Sequence, residues 1–296
     1  MPIAPANGIE IWYETFGEPD DAPLLLVMGF TCQAIQWDVD FCNALVDRGY
    51  FVIRYDNRDV GLSTKIDSPK FNFIESFMRA LAGEDIEAPY LLTDMAADAV
   101  GLLDHLGIES AHVVGVSMGG MIGQTMAIEH PQRVRTLTSI MSTTGELDVG
   151  QANAEAAATL LHPPAPDRDA YLESYVDRWR VLCGPVYFDE DYLRKRGSAV
   201  YDRSYFPVGY GRQLLGIYAS GSRSDQLRDV TTPTLVIHGT LDPLIDISGG
   251  RRTAELIPGA ELIEVDDMGH DLPQQLWPQI VDAIVRHTSN VERLAS

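Results

Sequence analysis

Residues 111–124 read AHVVGVSMGGMIGQ. A continuously apolar run, the pattern of a strand buried on both faces, stops at Ser117, and a helix of small residues follows. Gly115 and Gly119 stand two places to either side, completing a Gly-x-Ser-x-Gly pattern. Between a strand and a helix, that pattern predicts a tight, strained turn. It lifts a hydroxyl clear of the sheet, above a helix N-terminus whose free N–H groups favour an anion. An ordinary glycine-rich turn would use the same residues, so the reading depends on whether the chain supplies a base.

The flanking sequence repeats the strand-then-helix rhythm. Apolar runs at 23–29, 50–56, 135–143, 232–239 and 260–267 read as further buried strands, and helical patterns such as LTDMAADAVGLLDHLGI and PQQLWPQIVDAIVRHT lie between them. This alternation predicts a mostly parallel central sheet covered by helices on both faces. Asn7-Gly8 is a hairpin turn signal leading into IEIWYETFG, so the chain opens on an antiparallel pair. Between Thr144 and Thr232 no strand pattern occurs, too long a gap for a structureless loop. The gap is helix-like in places and holds 11 of the chain's 25 aromatic residues. We assign 1–144 and 230–296 to a core and 145–229 to an inserted helical cap over the sheet's C-terminal edge. Most of those aromatics are needed simply to give a small cap a core.

Charge narrows the classes of partner. A net charge of −21 argues against nucleic acid and anionic membrane, both of which need cationic surface. Only three of the 22 basic residues are lysines. The three cysteines, Cys32, Cys42 and Cys183, have no metal or redox spacing and suit free thiols in a reducing compartment. The opening residues lack a signal-peptide pattern, and no apolar run approaches the ~18 residues that span a bilayer. The expectation is a cytoplasmic protein with no metal or organic cofactor. Monomer and homodimer both remain open.

A serine is a poor nucleophile until a base takes its proton. Of the seven histidines, His270 sits in EVDDMGHDLP, a loop beyond the last strand, where open α/β sheets place their chemistry. His105, His130 and His287 fall at or near helix ends, and His112 and His238 within strands. His162, in the cap stretch, could touch a ligand at most. A base in turn needs a carboxylate to orient it. Asp242, in LVIHGTLDPLI, lies just past a strand end, with Asp246 and Glu146 as alternatives. The backbone N–H groups of Met118 and Phe30 are the expected oxyanion donors. Met28, Tyr175 and Trp179 are candidates for the pocket wall.

With Ser117, Asp242 and His270 in that order, the chain resembles the α/β-hydrolase superfamily. The segments VMGF, VIRYDNRDVGLST, HVVGVSMGG, PTLVIHGTLDP and MGH are similar to those of aclacinomycin methylesterase-type hydrolases, including Met28-Gly29 where many superfamily members have His-Gly. The resemblance implies an α/β-hydrolase fold and acyl transfer to water from a small-molecule ester through an acyl-enzyme, without a cofactor. The acidic surface and the aromatic cap point to small to medium, largely apolar esters, methyl esters among them, rather than to anionic substrates. It assigns Asp56, Arg58 and Asp59 to holding a turn. An acyltransferase or perhydrolase on the same triad, and a hydrolase-fold ligand receptor with little turnover, are the alternatives.

Overall fold

The structure, a computed structural model, describes residues 2–68, 72–161 and 165–295; His162 lies outside them. β1 (Ile3–Ala6) and β2 (Ile9–Phe16) form a hairpin whose turn residues Asn7 and Gly8 have φ of 47° and 78°. β3 (Ala22–Val27), α1 (Val39–Val46), β4 (Tyr50–Tyr55), α2 (Phe73–Leu81), α3 (Leu92–His105), β5 (Ala111–Val116), α4 (Met118–Glu129) and β6 (Val134–Ile140) follow. The chain then runs through α5 (Ala154–Thr159), α6 (Arg168–Leu182), α7 (Glu190–Arg203), α8 (Val208–Ala219) and α9 (Ser224–Leu227). β7 (Thr234–Gly239), α10 (Ser248–Leu256), β8 (Glu261–Val265) and α11 (Trp277–Ala295) complete it.

The eight strands lie in the order β1-β2-β4-β3-β5-β6-β7-β8. β2 is antiparallel to both its neighbours, and every pairing from β4 to β8 is parallel. Because side chains alternate across a strand, the central runs feed two cores. Leu25, Val27, Ile53 and Val113 pack with α3 and α4, through Leu102 and Ile122 among others. Leu24, Leu26, Val52, Val114 and Val116 pack on the other face with Phe41 and Leu45 of α1 and Ile280 and Ile284 of α11. This double coverage is why the strands read as continuous apolar runs. β3 has β4 on one side and β5 on the other, so the connections diverge at β3 and leave a crevice beyond the strand ends.

The excursion from α5 to α9 begins with capped helices. Asn153, Asp167 and Asp189 each accept a hydrogen bond from the backbone N–H three residues on. Its core is aromatic, with Tyr171, Tyr201 and Tyr205 in mutual ring contact at 4.8–5.3 Å between centroids. It is tied to the sheet by buried charges from the turn after β4. Asp59 accepts two bonds at 2.8 Å from Arg212 of α8 and a third, at 2.7 Å, from the Tyr90 hydroxyl. Asp56 accepts from Ala34 N at 2.7 Å and Leu62 N at 2.8 Å, and pairs with Arg203 of α7 at 2.7 Å. Arg58 instead pairs with Asp98 of α3. These residues therefore do more than hold their own turn: two of them anchor the excursion.

Both members of the Asp59–Arg212 pair are buried, so Asp59→Ala would strand a guanidinium in the interior. The expected loss is about 3–5 kcal/mol in a urea melt. Glu173→Ala, which removes a solvent-exposed partner of Arg194, should leave the midpoint nearly unchanged.

Candidate active site

Ser117 joins β5 to α4 with φ 54° and ψ −120°, a conformation that L side chains rarely adopt. Its neighbours explain how the chain tolerates it. A Cβ on Gly115 would lie 2.1 Å from the Gly119 carbonyl oxygen, and one on Gly119 would lie 2.1 Å from the Val27 oxygen. Only glycine at both places lets strand, turn and helix close so tightly. The Ser117 N–H donates to Ile140 O at 2.9 Å, and Ser142 Oγ donates to Ser117 O at 2.8 Å, which hold the turn from the β6 side.

Two loops bring the other groups. Ser117 Oγ and His270 Nε2 are 3.0 Å apart, and His270 Nδ1 donates to Asp242 Oδ2 at 2.7 Å. The His270 backbone N–H donates to Leu182 O at 2.7 Å, so the end of α6 helps seat the imidazole. Asp242 Oδ1 accepts from Leu244 N at 2.9 Å and Ile245 N at 2.8 Å. Burial alone would raise the Asp242 pKa; the His270 and His238 imidazoles beside it more than reverse that and leave it at about 2. Asp246 instead accepts from Ser248 N at the start of α10, and Glu146 pairs with Arg252 at 2.9 Å. The geometry thus joins His270 to Asp242 and leaves the two alternative acids elsewhere.

By sequence His238 is an ordinary strand residue, with no motif that ties it to the site. It is fully buried, its Nε2 donates to Ile245 O at 2.8 Å, and the same nitrogen stands 3.5 Å from Asp242 Oδ2. Its place at the end of a strand, four residues before the acid, was the signal available.

Phe30 follows β3 and Met118 opens α4, on either side of the crevice. Met118 N–H is among the first-turn donors that a helix cannot satisfy internally. Among the described residues, neither it nor Phe30 N–H donates a backbone hydrogen bond.

A cavity of about 90 Å³ lies against Ser117 and His270, with Met28, Phe30 and Trp179 in its wall. On a scale where one water needs roughly 10–15 Å³, it holds a handful of non-hydrogen atoms. Beside it is a chamber of about 670 Å³; both are lined by Thr31, Thr159, Leu160, Arg178 and Tyr210. Tyr175 does not line either cavity, which corrects the expectation from sequence. Its ring packs on Gly197, and its hydroxyl accepts from Arg196 Nε at 3.0 Å. Helical periodicity cannot separate the face of α6 turned to a cavity from the face turned to α7.

A serine on a strained strand-to-helix turn, served by an imidazole and a carboxylate from loops beyond β8 and β7, is the architecture of an α/β-hydrolase. The chain belongs to the alpha/beta hydrolase fold family, whose sequence profile matches residues 22–273. It is 35% identical to the rhodomycin D methylesterase DnrP of Streptomyces peucetius, over 95% of each chain, as the methylesterase-type motifs led us to expect. It is 26% identical to 3-oxoadipate enol-lactonase 2 of Acinetobacter baylyi, again over 95% of each. Among solved structures, the enol-lactonase of Burkholderia xenovorans superposes with a TM-score of 0.72 at 22% identity, covering 99% of this chain and 100% of that one. At that identity the likeness speaks for the fold. No helix among the described residues is long and apolar enough to cross a membrane.

The depressed pKa of Asp242 has a sign that can be checked. Its folded value of about 2 lies below the ordinary unfolded value of about 3.9, so its ionised form stabilises the fold fully above that range. The contribution, about 2–3 kcal/mol, should disappear as pH falls from about 4 through about 2. In chemical denaturation, the stability gap between wild type and Asp242→Asn should therefore narrow as pH falls through that window.

Proposed function

We propose that the protein is a serine-dependent carboxylic ester hydrolase, with Ser117 as nucleophile, His270 as general base and acid, and Asp242 as the group that orients the imidazole. The observation that carries this is the continuous chain of contacts from Asp242 through His270 to Ser117, at 2.7 and 3.0 Å, on an elbow built for an exposed hydroxyl. Methylesterase relatives at 35% identity support the same reaction class.

In this reading, Ser117 Oγ attacks the ester carbonyl carbon as His270 Nε2 takes its proton. The carbonyl oxygen becomes an oxyanion between the Phe30 and Met118 N–H groups, preorganised donors that need no rearrangement. Asp242, anchored by two backbone N–H groups, stabilises the imidazolium through Nδ1. His270 then returns the proton to the departing alkoxide, and an alcohol leaves the acyl-enzyme. Water enters, His270 removes its proton, and the second tetrahedral intermediate collapses to the carboxylic acid and free Ser117.

We read 145–229 as a cap over this site, supported by the Leu182–His270 bond and by Trp179 and Arg178 in the cavity wall. A narrow inner cavity beside a wide chamber suits an ester with one small and one bulky side, as a methyl ester of a larger acid has. The free, part- or fully buried thiols of Cys32, Cys42 and Cys183 suit a reducing cytoplasm.

The test is hydrolysis of p-nitrophenyl esters from acetate to laurate, and of methyl esters, by wild type and Ser117→Ala. Turnover should drop by roughly 10³–10⁶-fold in the variant. Equal rates in the two proteins would remove Ser117 from the mechanism. Tight ligand binding by a folded wild type that turns over no ester would make the protein a receptor.

A further inference from the structure

Arg178, on α6, lies in the wall common to the inner cavity and the wider chamber. Its Nε is buried and has no hydrogen-bond partner, and among the described residues no carboxylate or carbonyl pairs with its guanidinium. The other arginines of these helices contrast with it. Arg168 pairs with Asp202, Arg180 with Glu190, Arg194 with Glu173, Arg203 with Asp56 and Arg212 with Asp59.

The comparison with Arg196, in the same cavity wall, is sharper. Arg196 donates to the Tyr175 hydroxyl, pairs with Asp271 Oδ1 at 3.3 Å and lies 4.2 Å from the centre of the Trp179 ring. Its charge is answered within the protein. The carboxylates of the cavity wall are also occupied. Asp271 serves Arg196 and the Cys183 thiol, while Asp38 accepts from Asp40 N and the Tyr192 hydroxyl. Among the described residues, no carboxylate of the wall is left to balance Arg178.

A guanidinium cannot escape this situation by losing its proton. The Arg178 Nε is withdrawn from water without gaining an acceptor, which is costly, and the guanidinium faces the two cavities rather than a partner side chain. An acceptor brought by the ligand resolves both points. One guanidinium carries one positive charge in a planar fork, and a carboxylate matches it in charge and shape.

We propose that Arg178 is a specificity-determining residue that binds a carboxylate on the substrate, so that the preferred esters carry a free acid group remote from the scissile bond. This rests on the ester-hydrolase reading above and deepens it: the substrates are half-esters of diacids. The strongly acidic surface does not oppose the assignment, since exposed charges beyond about 8–10 Å are largely screened at physiological salt.

The test compares kcat/KM for monomethyl esters of dicarboxylic acids, from succinic to suberic, with their dimethyl esters. Wild type, Arg178→Met and Arg178→Lys are assayed side by side. Wild type should favour the monoester at one or more chain lengths, and this acid-to-neutral ratio should fall roughly 10- to 100-fold in Arg178→Met. Arg178→Lys should restore part of it, because the charge remains and the fork is lost. A merely structural role would lower both rates together and leave the ratio in place. Preference for the diester at every length, or a ratio untouched by Arg178→Met, overturns the assignment. Calorimetric binding of the free dicarboxylates and their diamides to wild type reads the site independently of turnover and of variant folding. Selective dicarboxylate binding supports it even if no ester is hydrolysed, and equal or absent binding of the two overturns it.

Discussion

The structure depends on one backbone conformation, that of Ser117. At φ 54° the chain turns from the centre of a parallel sheet directly into α4, and the turn closes only because glycines at 115 and 119 remove side chains that would meet carbonyl oxygens at 2.1 Å. Strain of this kind persists only where its surroundings over-determine it. Here β3 and β6 flank β5 along its length, Ser142 and Ile140 bond the turn, and the two cores press on the strand from both faces. A strand paired on both edges and packed on both faces thereby holds one hydroxyl out of a regular element.

From that point the site is assembled by convergence. The hydroxyl comes from β5, the carboxylate from the loop after β7 and the imidazole from the loop after β8, all at the same edge of a parallel sheet. Parallel strands put all their C-terminal ends on one side, so residues 117, 242 and 270 meet although the chain between them is long. Asp242 shows what this placement requires. A buried carboxylate resists ionisation, yet two backbone N–H groups and two imidazoles surround it and keep it charged. His238 belongs to that set, and its contribution is positional: it brings a second ring nitrogen to the oxygen that His270 already uses.

The simplest use of so many carboxylates is surface hydration. Several of those here do internal work instead. Asp56 and Asp59 bind α7 and α8, Asp98 binds Arg58, and aspartates cap the helices between β6 and β7. Because the arginines facing them are nearly all paired, the unpaired guanidinium of Arg178 stands out as a feature of the cavity rather than of the fold.

The order of strands and helices and the hairpin at Asn7-Gly8 were legible from the sequence, as were Ser117, Asp242 and His270 as candidate groups, which the fold brings within hydrogen-bond reach of one another. Each leaves a local trace: a continuous apolar run for a doubly covered strand, a glycine pair around a strained turn, a polar residue just past a strand end. Tyr175 and Trp179 carried no such trace, being four residues apart on one helix and equally aromatic, and the fold sends one into the α6–α7 interface and the other into the cavity wall. Asp56 and Asp59 looked like turn residues because their partners, Arg203 and Arg212, lie far along the chain. The sequence by itself determined which elements form and which chemical groups are available, since both follow from short-range pattern. Only the tertiary structure decided which charges find partners and which side chains line the cavities, because those outcomes depend on distances between residues that chain spacing does not encode.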